Sequence, residues 1–179
     1  MSLLSRLFGS RTDPRDALRP LWYKVVELSR LREYYAQCRV ADTLEGRFDM
    51  VTVILSVVLL RMEKSMLLNR KSAYLTELFI EDMDGQLRES GVGDLAVGKH
   101  MGKLMGVLGG RLGALREAFK ELAGSGQEDA LRGALESNVT FAEGDEGGDP
   151  AGLASRIAAL RDHLSQVSDA DILAGRFLQ

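Results

Sequence analysis

The sequence predicts an all-α fold: a single helical domain of about six helices with an acidic C-terminal segment. Three observations predict it. Apolar residues recur at three- and four-residue spacing through most of the chain, which places them on one face of a helix. The only prolines are Pro14, Pro20 and Pro150, and Pro20 and Pro150 stand where apolar periodicity starts. No run of alternating residues bounded by turn signals marks a hairpin. At 179 residues, 45% apolar and 27% charged, the chain suffices for one packed domain and has ordinary globular composition.

The elements follow in order. Residues 1–12 begin with a short apolar patch of Leu3, Leu4, Leu7 and Phe8 between Arg6 and Arg11. It is too short for a signal-peptide core or a bilayer span, which leaves a weak interfacial anchor or a docked terminus. Residues 13–140 form the main helical domain. Asp13-Pro14 reads as a cap followed by a first-turn proline. Pro20 opens the first main helix, whose stripe of Leu18, Leu21, Trp22, Val25, Leu28 and Tyr35 runs to about Ala36. Asp42 with Glu45 three residues later has the capping-box pattern. Phe48 to Leu60 is apolar almost all round and continues through Arg61, Met62, Glu63 and Met66. Its β-branched content permits a strand, but its length and lack of breakers predict a buried central helix. The next helix, about Lys71 to Ser90, buries Leu75, Leu78, Phe79, Met83 and Leu87.

A Gly91-Val92-Gly93 break then leads to a helix capped by Asp94. Its apolar face carries Val97, Met101, Leu104, Met105, Leu108, Leu112 and Leu115. Beside it runs a second stripe of Gly98, Gly102, Gly106, Gly109 and Gly113. A glycine inside a helix costs about 0.8–1 kcal/mol relative to alanine, so five cost roughly 4–5 kcal/mol. Such a stripe lets another backbone approach closely. Either a helix of this chain lies against it or a helix of a partner does. Gly124-Ser125-Gly126 ends that helix, and a short one spans Gln127 to Ser137. Residues 141–150 read as a mobile acidic loop. Residues 151–179 hold a C-terminal helix, opened by Pro150, that packs on the domain through Leu153, Ile157, Leu160 and Leu164, and a last partial turn from Asp169 to Phe177.

The net charge of −3 conceals an asymmetry. Residues 1–120 carry 19 basic against 15 acidic groups, a balance of +4, and residues 121–179 carry 4 against 11, a balance of −7. A basic body suits an anionic surface. Nucleic acid is not an expected partner, because no basic cluster interleaves with stacking aromatics. The single Cys38 excludes an internal disulfide and reads as a semi-buried structural residue.

No catalytic constellation is visible, so an enzyme is not expected. His100 and His163 stand in no metal-ligand spacing with each other or with Cys38. Glu81, Asp82 and Asp84 lack the Glu-x-x-His pattern of carboxylate-bridged metal bundles, so no metal is assigned. GVLGGRLG lacks the lysine-serine ending of a phosphate loop. No cofactor is expected.

Three blocks, DTLEGRFD (Asp42 to Asp49), Leu78 to Met105, and GGRLGAL (Gly109 to Leu115), resemble the ubiquinol–cytochrome c chaperone family. The resemblance covers about Pro20 to Leu115, with nothing after Phe119 contributing. It departs from the family pattern at Ile54, where a histidine is common, and near Leu115, where a tyrosine is. It implies a bacterial, non-enzymatic chaperone that binds newly made cytochrome b during assembly of the cytochrome bc1 complex, at the cytoplasmic face of the membrane. A cochaperone and the membrane surface are further partners it leaves open.

With this client, the glycines would floor a groove for an apolar helix, edged by the flexible Met101 and Met105. Asp82, Asp84, Arg88, Asp94, Lys99, Lys103 and Arg111 would steer orientation from the rim. Phe79, Met83 and Val92 complete the candidate partner-binding set. Met101 and Met105 also lie on the apolar stripe, which is more often core than partner contact, and Arg88 and Arg111 read equally as fold-locking ion pairs. The competing reading is a peripheral lipid- or quinone-binding helical protein, held to the membrane by residues 1–12 and the basic body.

Overall fold

A proline has no backbone N–H to donate, so it fits the first turn of a helix, and Pro20 sits there in α1 (Arg19–Ser29). The computed structural model describes residues 13–89, 94–144 and 147–178. The expected 1–12 segment and Gly91-Val92-Gly93 break lie outside the described residues, as do the side chains of Leu87, Asp94, Val97, Lys99 and His100.

Asp13 accepts from the Arg15 N–H at 2.9 Å and leads into a 3-10 turn at Asp16–Leu18, ahead of α1. The first helix does not run unbroken to Ala36. Leu31 is extended, and the chain restarts as α2 (Arg32–Ala36). The break is held by the Tyr35 hydroxyl donating to the Ser29 carbonyl at 2.8 Å. It turns Tyr34 into the core in place of the expected Tyr35, which is only half-buried.

α3 (Leu44–Glu63) is the central helix, with α1, α6 and α8 packed around it. No capping box forms at its start. Thr43 is the cap and accepts from the Gly46 N–H at 3.2 Å, while Asp42 turns out to pair with Arg47 at 2.7 Å. Gly46 is required sterically: a Cβ there would lie 2.0 Å from the Ala41 carbonyl oxygen. From Met50 to Leu59 every residue but Val51 is buried, including Thr52 and Ser56, whose hydroxyls donate back to carbonyls of their own helix. The helix stops at Glu63 and does not continue through Met66, because Ser65 is extended and caps the separate short α4 (Met66–Asn69).

α5 (Ser72–Glu89) and α6 (Asp94–Ser125) pack against each other and against α3. Gly126, at φ 73°, follows the end of α6. α7 (Asp129–Glu136) and α8 (Pro150–Gln166) close the far side. Asp149 caps α8 by accepting from the Gly152 N–H at 2.8 Å, and Leu153, Ile157, Leu160 and Leu164 are buried beneath it. α9 (Asp169–Leu173) ends the fold.

The acidic 141–150 segment is tied at both ends. Val40 and Phe141 form an isolated antiparallel bridge, the Ala142 N–H donates to the Arg39 carbonyl at 2.7 Å, and the Asp149 N–H donates to the Cys38 carbonyl at 2.9 Å. Cys38 itself is buried, which pushes its thiol pKa up. Among the described residues no helix is long and apolar enough to cross a membrane.

Candidate functional site

The glycine stripe of α6 lies on the outside of the molecule. Gly98, Gly102, Gly106 and Gly109 are exposed and Gly113 is half-buried. A Cβ built at any of the five would meet no atom within 4 Å. No described segment of the chain therefore covers this face, and the glycines serve no close packing among the described residues. The opposite face of α6 is conventional. Leu108, Leu115, Ala118 and Phe119 are buried, and Met101, Leu104 and Leu112 are half-buried against the core. Between the two faces Met105 is 37% exposed. Lys103 is exposed and makes no ion pair among the described residues.

Next to the glycine face, Val107 and Gly110 line a shallow pocket of about 370 Å³ with Asp49, Arg111 and Ser137 to Thr140. Arg111 stands at its base and is a structural residue. At 8% exposure it donates from Nη2 to Asp49 Oδ1 and from Nη1 to Thr52 Oγ1, and its guanidinium lies 5.6 Å from the Phe48 ring centre. The other Asp49 oxygen, Oδ2, accepts from the Thr140 N–H at 2.8 Å and the Thr140 hydroxyl at 2.7 Å. One buried carboxylate thus joins α3, α6 and the 138–142 segment. In place of the expected partner-binding rim, Arg111 turns its charge inward onto Asp49, although its buried Nε has no hydrogen-bond partner among the described residues.

Two further candidates are core residues. Phe79 is 0% exposed, its ring 6.1 Å edge-on from Trp22 and 6.4 Å from Phe48, and Met83 is also buried. Both occupy the inner stripe of α5 and pack into the core, with Met83 9% exposed. The polar side of α5 is exposed but largely satisfied. Asp84 pairs with Arg88 at 2.8 Å across one helical turn. Asp82 is half-buried, and desolvation raises its carboxyl above the usual range despite the hydrogen bond from Gln86. Glu81 receives Arg15 at 3.0 Å and Arg19 at 3.7 Å, which clamps the start of the domain to α5. Val92, Asp94 and Lys99 fall among the undescribed positions or side chains.

The sequence reading missed Asp49, Thr52 and Thr140, which complete the Arg111 site. A signal for Asp49 was present, because a carboxylate inside an otherwise apolar helix needs a buried cation or several donors.

Comparison with known proteins agrees with this architecture. A family model described as "Ubiquinol-cytochrome C chaperone" matches residues 36–179. The match thus reaches past Phe119, where the motif resemblance ended, to the end of the chain. The crystal structure of the Cbp3 homolog from Brucella abortus is 27% identical, with a TM-score of 0.74 over 99% of this chain and 97% of that one. No curated protein matches.

Proposed function

The chain belongs to the ubiquinol–cytochrome c chaperone family, and on that premise we propose that it holds newly made cytochrome b against the glycine face of α6 while the cytochrome bc1 complex is assembled. The role is non-enzymatic: the protein binds, shields and releases its client at the cytoplasmic face of the membrane.

One observation carries this reading. Five glycines on α6 cost roughly 4–5 kcal/mol of helix stability relative to alanine, and nothing in the described chain touches the space their missing side chains leave. That cost is comparable to the net stability of a small domain. A partner backbone is what such a strip accommodates. Where the partner is an apolar helix, the strip permits approach closer than any side-chain-bearing face allows. Met105, exposed beside it, adapts its shape to irregular apolar surfaces, and Lys103 supplies a charge to set orientation.

The experiment is capture of cytochrome b from cells by the tagged protein, comparing wild type with Gly102→Ala/Gly106→Ala/Gly109→Ala. The triple variant is expected to fold at least as stably as wild type and to lose capture and bc1 accumulation. Capture equal to wild type would remove the glycine face from the mechanism. Normal bc1 levels after deletion of the gene, with no cytochrome b recovered on the wild-type protein, would remove the function.

A further inference from the structure

The described surface carries large exposed apolar residues in scattered positions, with one exception. Met66 is 84% exposed and its neighbour Leu67 is 56% exposed, both on α4, the short helix joining α3 to α5. The display is built. Leu68, the third residue of the same Met-Leu-Leu run, is fully buried and anchors α4 from below. Ser65 caps α4 by accepting from the Leu68 N–H at 3.3 Å, and its hydroxyl donates to Asp169. Arg61 donates to the Leu164 and Val167 carbonyls at 2.8 and 2.9 Å and pairs with Asp169 at 2.8 Å. The two apolar side chains are therefore held outward on a fixed support.

The charges beside them that make no ion pair among the described residues are positive. Lys64 and Arg70 are exposed and Lys71 half-buried, and none makes an ion pair among the described residues. The adjoining carboxylates, Glu63 and Asp169, are each taken by an arginine, Arg116 and Arg61. Residues 64–71 thus present two long exposed apolar side chains flanked along the chain by three cations that make no ion pair among the described residues.

We infer that this tip docks the protein on an anionic lipid bilayer, with Met66 and Leu67 entering the interface and Lys64, Arg70 and Lys71 meeting lipid headgroups. A protein partner fits the tip less well. A stable protein interface takes about 800 Å² from each partner, and two protruding side chains without a concavity present far less. A bilayer asks only for insertable apolar side chains and nearby positive charge. The inference uses an element separate from the glycine face and holds whichever protein is the client.

The test uses the full chain with Leu67→Cys carrying an environment-sensitive nitrobenzoxadiazole label, with wild-type protein labelled in parallel to show that buried Cys38 stays unreacted. Phosphatidylcholine vesicles with phosphatidylglycerol should shift the label to the blue and expose it to quenching by brominated lipid; vesicles without it should not. In flotation, each cation removed from Lys64, Arg70 and Lys71 should weaken binding roughly fivefold, and Met66→Ser/Leu67→Ser should weaken it further. These tip variants should still capture cytochrome b in detergent, which separates this test from that of the chaperone reading. Flotation with the label unshifted would assign docking to another surface, and unchanged flotation of the tip variants would do the same. Lost client capture with normal flotation would make the tip a protein contact. Each of these three results overturns the inference.

Discussion

α3 and α6 sit side by side and solve opposite problems. α3 is surrounded, and even its threonine and serine are buried with their hydroxyls turned back onto the helix. α6 is longer, at 32 residues against 20, and packs along one face while leaving a side-chain-free strip on the other. Burial explains the side chains of α3 from Met50 to Leu59, Val51 aside, by packing. Packing explains half of α6, and its glycines act against the stability of the helix that carries them. Residues that harm a fold without serving a contact within it point outside the molecule.

The two helices meet at Asp49 and Arg111, and breaking that pair should give the largest effect. Asp49→Ala leaves a buried guanidinium without its counter-charge and should cost about 3–5 kcal/mol. Chemical denaturation measures the loss. Replacing both partners by apolar residues of similar size, Asp49→Leu with Arg111→Met, should destabilise less than either single change. A double variant worse than both singles would mean that the pair contributes more than mutual neutralisation.

Truncation in the two helices should then differ by position. Ile54→Ala, at a fully buried site in α3, should cost about 2–5 kcal/mol. Met105→Ala, at an exposed site on α6, should fall within about 0.5 kcal/mol of wild type and should reduce client capture. Equal costs at the two sites would erase the distinction between a packed helix and a presented one.

Much of this contrast was legible in the sequence. The near-continuous apolar run identified α3 as central, and the three-four spacing in α6 separated its glycines from its leucines. What the sequence left open was whether the glycine strip is filled from within, because helix–helix placement depends on tertiary packing. Arg111 shows the same limit. Its partner Asp49 is 62 residues away, so no local pattern couples them, and the residue read equally as a rim charge or an internal lock. Asp42 and Glu45 matched a capping pattern, yet Thr43 holds the position, since the close approach of Gly46 to Ala41 fixes where the helix begins. Met66 was legible as one more turn of α3. Only the break at Ser65 turns it and Leu67 outward.

Single glycine substitutions on α6 sharpen the comparison with a smaller effect of the opposite sign. Gly102→Ala or Gly106→Ala should stabilise the protein by about 0.8–1 kcal/mol, because the added methyl meets open space. Gly46→Ala, at the start of α3, should destabilise, because its methyl would strike the Ala41 carbonyl. One residue type thus gives gain on one helix and loss on the other, both read from thermal midpoints.

The smallest effect is the most selective. Asp169 receives hydrogen bonds from Ser65 and Arg61, which hold its carboxyl below the ordinary value of 3.8. A carboxylate depressed in the folded state contributes stability that is fully present above its unfolded pKa and fades as pH falls through the folded one. Wild type should therefore lose the support of α4 and α9 only in acid, whereas Asp169→Asn lacks it at neutral pH. The two proteins should differ in thermal midpoint near neutrality and converge as pH drops below the ordinary carboxylate range. Asp169 opens α9, where it meets Arg61 and Ser65 beside the end of α3, and among the described residues it makes no hydrogen bond or ion pair with the glycine strip. Cytochrome b capture by Asp169→Asn at neutral pH should therefore stay near wild type. Reduced capture would show that the two helices, so unlike in packing, are coupled in function.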